Sequence, residues 1–229
     1  MFVDGILLID KPKHWTSHDV VAKVRNTLRK EVGVNNPKVG HTGTLDPLAT
    51  GLLILTIGSY CKRASEFSKL DKIYEVAMRI GETSTTADSE GKKSRISARR
   101  PAKQEILTAL KNFVGEIEQT PPAYSAIKVN GQRAYKLARA GKVIHLEPRI
   151  VTIFDISDIN YTFPYIKFFT KVSSGTYIRS LVEDVGRMLE TGAYMTDLRR
   201  VQIGDHCVVN AYAPTVGQLE VKIIHFDKK

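Results

Sequence analysis

The chain has 229 residues, 42% hydrophobic and 25% charged, a balance that suits one large globular domain, or one domain with an added lobe, whose core needs no disulfide or structural metal. Its two cysteines, Cys61 and Cys207, lie far apart in no paired spacing, which argues against a disulfide framework or a zinc cluster, and no apolar run approaches the roughly 20 residues of a membrane span. Thirty-four Lys and Arg against twenty-four Asp and Glu leave a charge of +10, which points to a polyanionic partner, nucleic acid first, with solubility alone as the alternative.

Residues 5–10 (GILLID) read as a short buried strand, ended by Lys11-Pro12 because proline cannot donate to a ladder. Ser17 is the expected N-cap of a helix over 18–30, with Val20, Val24 and Leu28 on one face and Lys23, Arg25, Arg29 and Lys30 on the other. A Gly- and Pro-punctuated loop, 33–50, leads to the apolar run 52–57 (LLILTI), a central strand, and then to another strand at 73–80. Residues 83–100 are polar and rich in Ser and Thr, without a hydrophobic period, and read as the mobile segment. A helical pattern returns over 103–113, Asn130-Gly131 signals a hairpin turn, and 133–140 reads as a short basic helix. Two β-rich runs, 150–161 and 165–173, precede a helix over 177–189 with Leu181, Val185 and Met188 inward, and a strand pair at 195–203 and 206–210. Strands follow strands without intervening helices, which predicts an α+β fold with a mixed, mainly antiparallel sheet.

Several common chemistries are unsupported. The SEGKKS stretch lacks the glycine and hydroxyl of a phosphate loop, since Thr86 and Lys93 stand where they belong. His14 and His18 are four apart, but the first sits in a turn and no Cys or HExxH-like helix accompanies them, so no metal site is expected. What stands out is GHTGTLDPLATG, residues 40–51, in which glycines and Pro47 surround the single acid Asp46. A lone carboxylate on a stiff loop before an apolar strand can be aimed into a cleft; an Asp-Pro turn capping its own backbone is the alternative. Without a partner carboxylate, ordinary glycoside hydrolysis is not set up. The second such segment is SSGTYIRSL, where Arg179 sits against the helix dipole and calls for an acidic partner. If that partner is Asp46, the pair keeps the carboxylate charged and directed; a solvated arginine is the alternative.

GHTGTLDPLATG, together with KIYEV, PPAYSAIKVNGQRAYKLARAG, SSGTYIRSL and the opening DKPKHWTSHDVV, resembles the motifs of the bacterial tRNA pseudouridine-55 synthases of the TruB type, in the family's order and spacing from about residue 5 to 219. The resemblance implies a pseudouridine synthase core, a mixed and mainly antiparallel sheet flanked by helices with a central catalytic cleft, and a catalytic domain over 1–219. It implies that Asp46 is the catalytic aspartate, that Arg179 pairs with it, and that Tyr74 packs against the target base. His41 is implied to hold the flipped-out RNA, and Tyr177 and Leu198 to line the base pocket. The insertion at about 121–142 is implied to contact RNA through Lys128, Arg133, Lys136 and Arg139.

The implied reaction turns the T-loop uridine, position 55 of tRNA, into pseudouridine after base flipping. Its atoms balance, so no cofactor or metal is expected. The expected partner is the T-arm of tRNA, with no membrane and no obligate protein partner, and the enzyme is expected to be a cytoplasmic monomer. A tRNA-folding chaperone without catalysis and a guide-RNA-dependent relative are the alternatives. Two departures stand out. His14 occupies a turn where the family usually has a small residue, often glycine. Residues 220–229 read as a short tail where many relatives carry a PUA-type domain, so the core and the basic insertion are expected to carry RNA binding.

Overall fold

The computed structural model describes residues 4–125, 127–129, 131–142 and 144–214; the tail at 220–229 lies outside the described residues. In chain order, β1 (Gly5–Lys11), α1 (Ser17–Lys30), β2 (Val39–His41), β3 (Thr50–Ile57), α2 (Ala64–Ser68) and β4 (Lys72–Ile80) come first. Then follow β5 (Glu82–Ser84), β6 (Lys93–Arg95), α3 (Lys103–Lys111), β7 (Gly115–Gln119), β8 (Lys128–Val129), β9 (Gln132–Arg133) and α4 (Ala134–Arg139). Strands β10 (Arg149–Thr162) and β11 (Tyr165–Val172), helix α5 (Ile178–Met188), β12 (Ala193–Ile203) and β13 (His206–Cys207) complete the order. The chain divides into two compact units, 1–74 with 198–229, and 75–197. No helix among the described residues is long and apolar enough to cross a membrane.

In the first unit β1 runs antiparallel to β3, from Gly5 opposite Ile57 to Lys11 opposite Gly51, and β12 joins β3 in parallel with Arg200 opposite Gly51. Both β1 and β3 are continuous apolar runs because both of their faces are buried. Leu7, Ile9, Leu53 and Leu55 pack with Val20, Val24 and Leu28 of α1, while Ile6, Leu8, Leu52 and Ile54 pack with Phe67 and Ile203 on the other side. The cap of α1 is Thr16 rather than the expected Ser17. Asp19, three residues on, closes a capping box with Thr16, its carboxylate accepting from the Thr16 amide at 2.8 Å. No such acid stands three residues after Ser17, whose hydroxyl serves the loop described below.

His14 has φ +68°, the left-handed region that a side chain makes costly and that glycine adopts freely. Its amide donates to the Pro47 carbonyl at 2.7 Å, so the turn is tied to the Asp46 loop. Replacing His14 with Gly keeps that bond and removes the strain. The expected gain is about 1 kcal/mol, or about 3 °C in Tm by scanning calorimetry; a lower Tm would contradict this account of the turn.

In the second unit the strand order is β12-β4-β11-β10-β7. Strands β10 and β11 form a long antiparallel hairpin, with Thr162 opposite Tyr165, and β7 pairs antiparallel with the start of β10, Gln119 opposite Arg149. Helix α5 buries Ile178, Leu181, Val182 and Val185. Met188, expected inward, is 47% exposed, because the apolar stripe continues four residues after Val185, to Leu189, which is buried. The segment 83–100, expected to be mobile, contains the hairpin β5–β6, with Glu82 opposite Arg95 and Ser84 opposite Lys93. Its turn is held by polar groups, which is why hydrophobic periodicity does not reveal it. The buried Asp88 carboxylate accepts from the Thr86 hydroxyl and from the Glu90 amide.

Candidate active site

Asp46 lies in the 42–49 loop that joins β2 to β3, and the loop is fastened at several points. The Thr42 amide and hydroxyl both donate to the Ile54 carbonyl. Ser17 takes the Leu45 amide at 2.9 Å and returns its hydroxyl to the Leu45 carbonyl at 3.2 Å. The side chains of Leu45, Leu48 and Ala49 are buried, and the Ala49 amide closes a turn on the Asp46 carbonyl at 3.0 Å. Asp46 itself is half-buried. The flanking apolar residues anchor the loop while the acid between them keeps access to solvent, an arrangement suited to a reacting carboxylate.

Two buried cations complete the support. Arg200, 1% exposed, donates from Nε to the Leu52 carbonyl at 2.7 Å and from Nη2 to the Gly43 carbonyl at 3.0 Å. Lys11 donates to the carbonyls of Pro12, Trp15 and, at 3.5 Å, Pro47. Each reaches one carbonyl of the loop, Arg200 that of Gly43 and Lys11 that of Pro47, which also accepts from the His14 amide. Burial lowers the Lys11 pKa to about 8, with the Asp46 charge pulling it up and the Arg200 charge pushing it down. Burial likewise lowers Lys72 to about 8, helped by Arg200. A lowered lysine pKa means that between pH 8 and the unfolded value near 10.5 the unfolded chain keeps a proton that the folded chain has released. Stability should therefore rise from pH 8 to 9.5, by on the order of 1 kcal/mol per lysine. Urea denaturation at the two pH values checks this, and a fall would contradict it.

The second unit presents Tyr177 and Arg179 at the start of α5. Tyr177 is the N-cap residue but offers no side-chain cap. Instead Gln119, 2% exposed at the end of β7, receives the Tyr177 amide at 2.7 Å and donates to the Tyr177 carbonyl at 3.1 Å. The Ser180 hydroxyl donates to the Thr120 carbonyl at 2.9 Å. Arg179 is buried, with Nη1 donating to the Thr86 carbonyl at 3.2 Å and Nη2 to the Tyr124 carbonyl at 2.9 Å. The root of the 121–142 insertion and the β5–β6 turn thus jointly fix the direction of the guanidinium.

Of the other expected site residues, His41 ends β2 and is half-buried, while Tyr74 in β4 and Leu198 in β12 are both buried. In the insertion, Arg133 and Lys136 are exposed, as phosphate contacts require; the side chains of Lys128 and Arg139 lie outside the described residues. Asp46, His41, Tyr74 and Leu198 belong to the first unit, Tyr177 and Arg179 to the second. Lys11, Arg200 and Gln119 were not singled out by sequence reasoning, and Ser17 was given another role. Gln119 carried a signal, as an isolated amide just before Pro121-Pro122, but a buried lysine or arginine looks like a surface one in sequence. Among the described residues no group of three or more His, Cys, Asp or Glu could hold a metal ion.

The family model for the TruB family pseudouridylate synthase N-terminal domain matches residues 29–178, and that for the tRNA pseudouridylate synthase B C-terminal domain matches 179–228. The tRNA pseudouridine synthase B of Clostridium kluyveri is 44% identical over 211 residues, covering 92% of this chain and 71% of the relative. That of Thermotoga maritima is 42% identical, covering 98% and 72%. Among solved structures, a Cbf5–Nop10–Gar1 complex contains a chain similar at a TM-score of 0.66 and 28% identity, over 87% of this chain and 49% of that one. An H/ACA RNP bound to a substrate RNA containing 2′-deoxyuridine gives the same TM-score at 25% identity, over 91% and 50%. The chain thus spans about half the length of these solved chains. With matched models over most of its length and relatives above 40% identity, the chain belongs to the TruB family of pseudouridylate synthases.

Proposed function

We propose that this protein isomerises the T-loop uridine of tRNA, position 55, to pseudouridine, and that the multiply fastened Asp46 carboxylate is the group that acts on the nucleoside. The observation that carries the reading is the Asp46 loop, held through Ser17, Lys11, His14 and Arg200 in a chain of this family. In the reaction the N1–C1′ bond breaks, the base turns, and C5 bonds to C1′. The C5 proton leaves to solvent and N1 gains one, so the atoms balance without cofactor, metal or second substrate. Asp46 acts either as nucleophile at the sugar or as base at C2′. Arg179 pairs with the Asp46 carboxylate, keeping it ionised and directed.

A base inside a folded loop must leave its stack at a cost of a few kcal/mol, and apolar and aromatic side chains offset it. Tyr74, Tyr177 and Leu198 supply that surface, and His41 holds the flipped nucleotide. In this reading residues 1–219 form the catalytic domain, the insertion grips RNA through Lys128, Arg133, Lys136 and Arg139, and the protein works as a cytoplasmic monomer without guide RNA or obligate partner.

The test is tritium release from a bare T-arm hairpin labelled at C5 of uridine, with the purified chain alone. Release approaching one tritium per target uridine supports the reading. Release that requires a guide RNA or partner protein would favour the guide-dependent alternative. Binding should also be electrostatic. For about four neutralised phosphates, raising salt from about 50 to 200 mM should weaken T-arm affinity about 100-fold. A flat salt response in a filter-binding titration would mean that the positive surplus does not face RNA.

A further inference from the structure

The second unit carries a cavity of about 300 Å³ that the reaction above does not use. It is lined by Arg79, Gly81 and Glu82 at the end of β4 and beyond it, by Arg95 and Arg100 on the returning segment, and by Phe163 of the β10–β11 turn. It holds three guanidiniums against one carboxylate, and that carboxylate is already engaged, with Glu82 bonded to Arg79 Nη1 at 2.7 Å. The same Arg79 nitrogen reaches the Tyr194 hydroxyl at 3.5 Å, while Arg79 Nε is buried with no hydrogen-bond partner among the described residues. A buried guanidinium N–H without an acceptor is unfavourable, so Arg79 keeps hydrogen-bonding capacity that the chain itself does not meet. Arg100 lies over the Phe163 ring at 4.7 Å, which holds its plane while leaving its N–H edges available. Four nearby backbone amides are committed: Ile80 to Pro164, Gly81 to Gly192, and Ile96 and Ser97 to the Gly81 carbonyl. Donor capacity at the cavity therefore resides chiefly in the arginines.

We propose that this arginine cleft is a second phosphate-binding site, separate from the base pocket, which takes an RNA backbone phosphate on Arg79, Arg95 and Arg100. Within this unit it lies at the Tyr165 end of β11, whereas Tyr177 follows the Val172 end. Eight residues of strand separate the two ends, roughly 25 Å. A phosphate bound there belongs to a part of the RNA well removed from the nucleoside in the base pocket. Guanidinium forks suit phosphate oxygens, and a cavity of this size admits a phosphate with its adjoining ribose. The site rests on RNA being the substrate, as proposed above, but its test reads binding rather than conversion.

The experiment compares the full chain with the Arg95→Ser/Arg100→Ser double variant. Both side chains are exposed, so the fold should survive, and equal melting curves would verify it. The probes are full-length tRNA, the T-arm hairpin, inorganic phosphate and adenosine monophosphate. The expected result is about tenfold weaker tRNA binding, with the salt slope reduced by about one, and unchanged T-arm conversion at saturating RNA. Unchanged tRNA affinity together with phosphate or nucleotide binding that the variant loses would keep the phosphate site and assign it to a small phosphorylated ligand. Unchanged tRNA affinity with no binding of either small probe would overturn the proposal. If the parent chain binds tRNA through this cleft yet converts no uridine, the functional reading fails while the site stands.

Discussion

Asp46→Asn is expected to lower uridine conversion by about 10³- to 10⁵-fold while leaving RNA affinity within a few-fold of the parent. The substitution keeps the shape of the side chain and removes the charge and basicity that either route requires. It does not touch the bonds that fasten the loop, since Ser17, Lys11, His14 and Arg200 all grip backbone groups of neighbouring residues. Melting should therefore fall only by what the proposed charge pair with Arg179 contributes. One electrostatic consequence is specific: the Asp46 charge supports protonation of Lys11, so the lysine should titrate lower in the variant. Single-turnover kinetics paired with a binding titration checks the main expectation. Equal conversion by variant and parent would remove Asp46 from the chemistry. Loss of binding in step with conversion would reassign it to RNA recognition, the outcome that a chaperone role requires.

Gly51→Ala is expected to have the largest effect on stability. A Cβ at this position would stand 2.2 Å from the Arg200 carbonyl oxygen and 2.7 Å from the Arg200 amide nitrogen, at φ +103°. The obstructing atoms are backbone of the paired strand, so no rotamer change relieves the clash and β3 must separate from β12. Arg200 would then lose its hold on Leu52 and Gly43, and the Asp46 loop would lose one of its supports. The expected loss is about 4 kcal/mol or more, corresponding to a fall in Tm of about 10 °C or more, with conversion falling at temperatures where the parent remains active. Gly33→Ala serves as the control, since its φ is also positive but nothing lies within 4 Å of the added Cβ. It should cost only the backbone strain, about 1 kcal/mol. Similar melting of the two variants, followed by circular dichroism, would contradict the close approach of β3 and β12.

Periodicity alone located the elements whose side chains carry the core. The apolar runs of β1 and β3, the Val20–Val24–Leu28 face of α1 and the Leu181–Val185 stripe of α5 are buried as expected. Strand β7 escaped notice because Glu116 and Glu118 interrupt its apolar content and its partners on β10 lie thirty or more residues on. The β5–β6 hairpin escaped because polar bonds around Asp88, rather than an apolar face, hold its turn. At the site, Asp46 stood out as a candidate because glycines and a proline surround a single acid. Its supports were not, because Lys11 and Arg200 are buried by long-range packing that composition counts as surface charge. The resemblance to the TruB motifs supplied the site roles that local pattern left open.

The most direct measurement of the central claim is a position-resolved pseudouridine map of a T-arm transcript after incubation with the purified chain, run beside Asp46→Asn. The account predicts modification at the T-loop uridine alone, complete with the parent chain and absent with the variant. Modification spread over other uridines, or none at all by a folded parent protein, would contradict it.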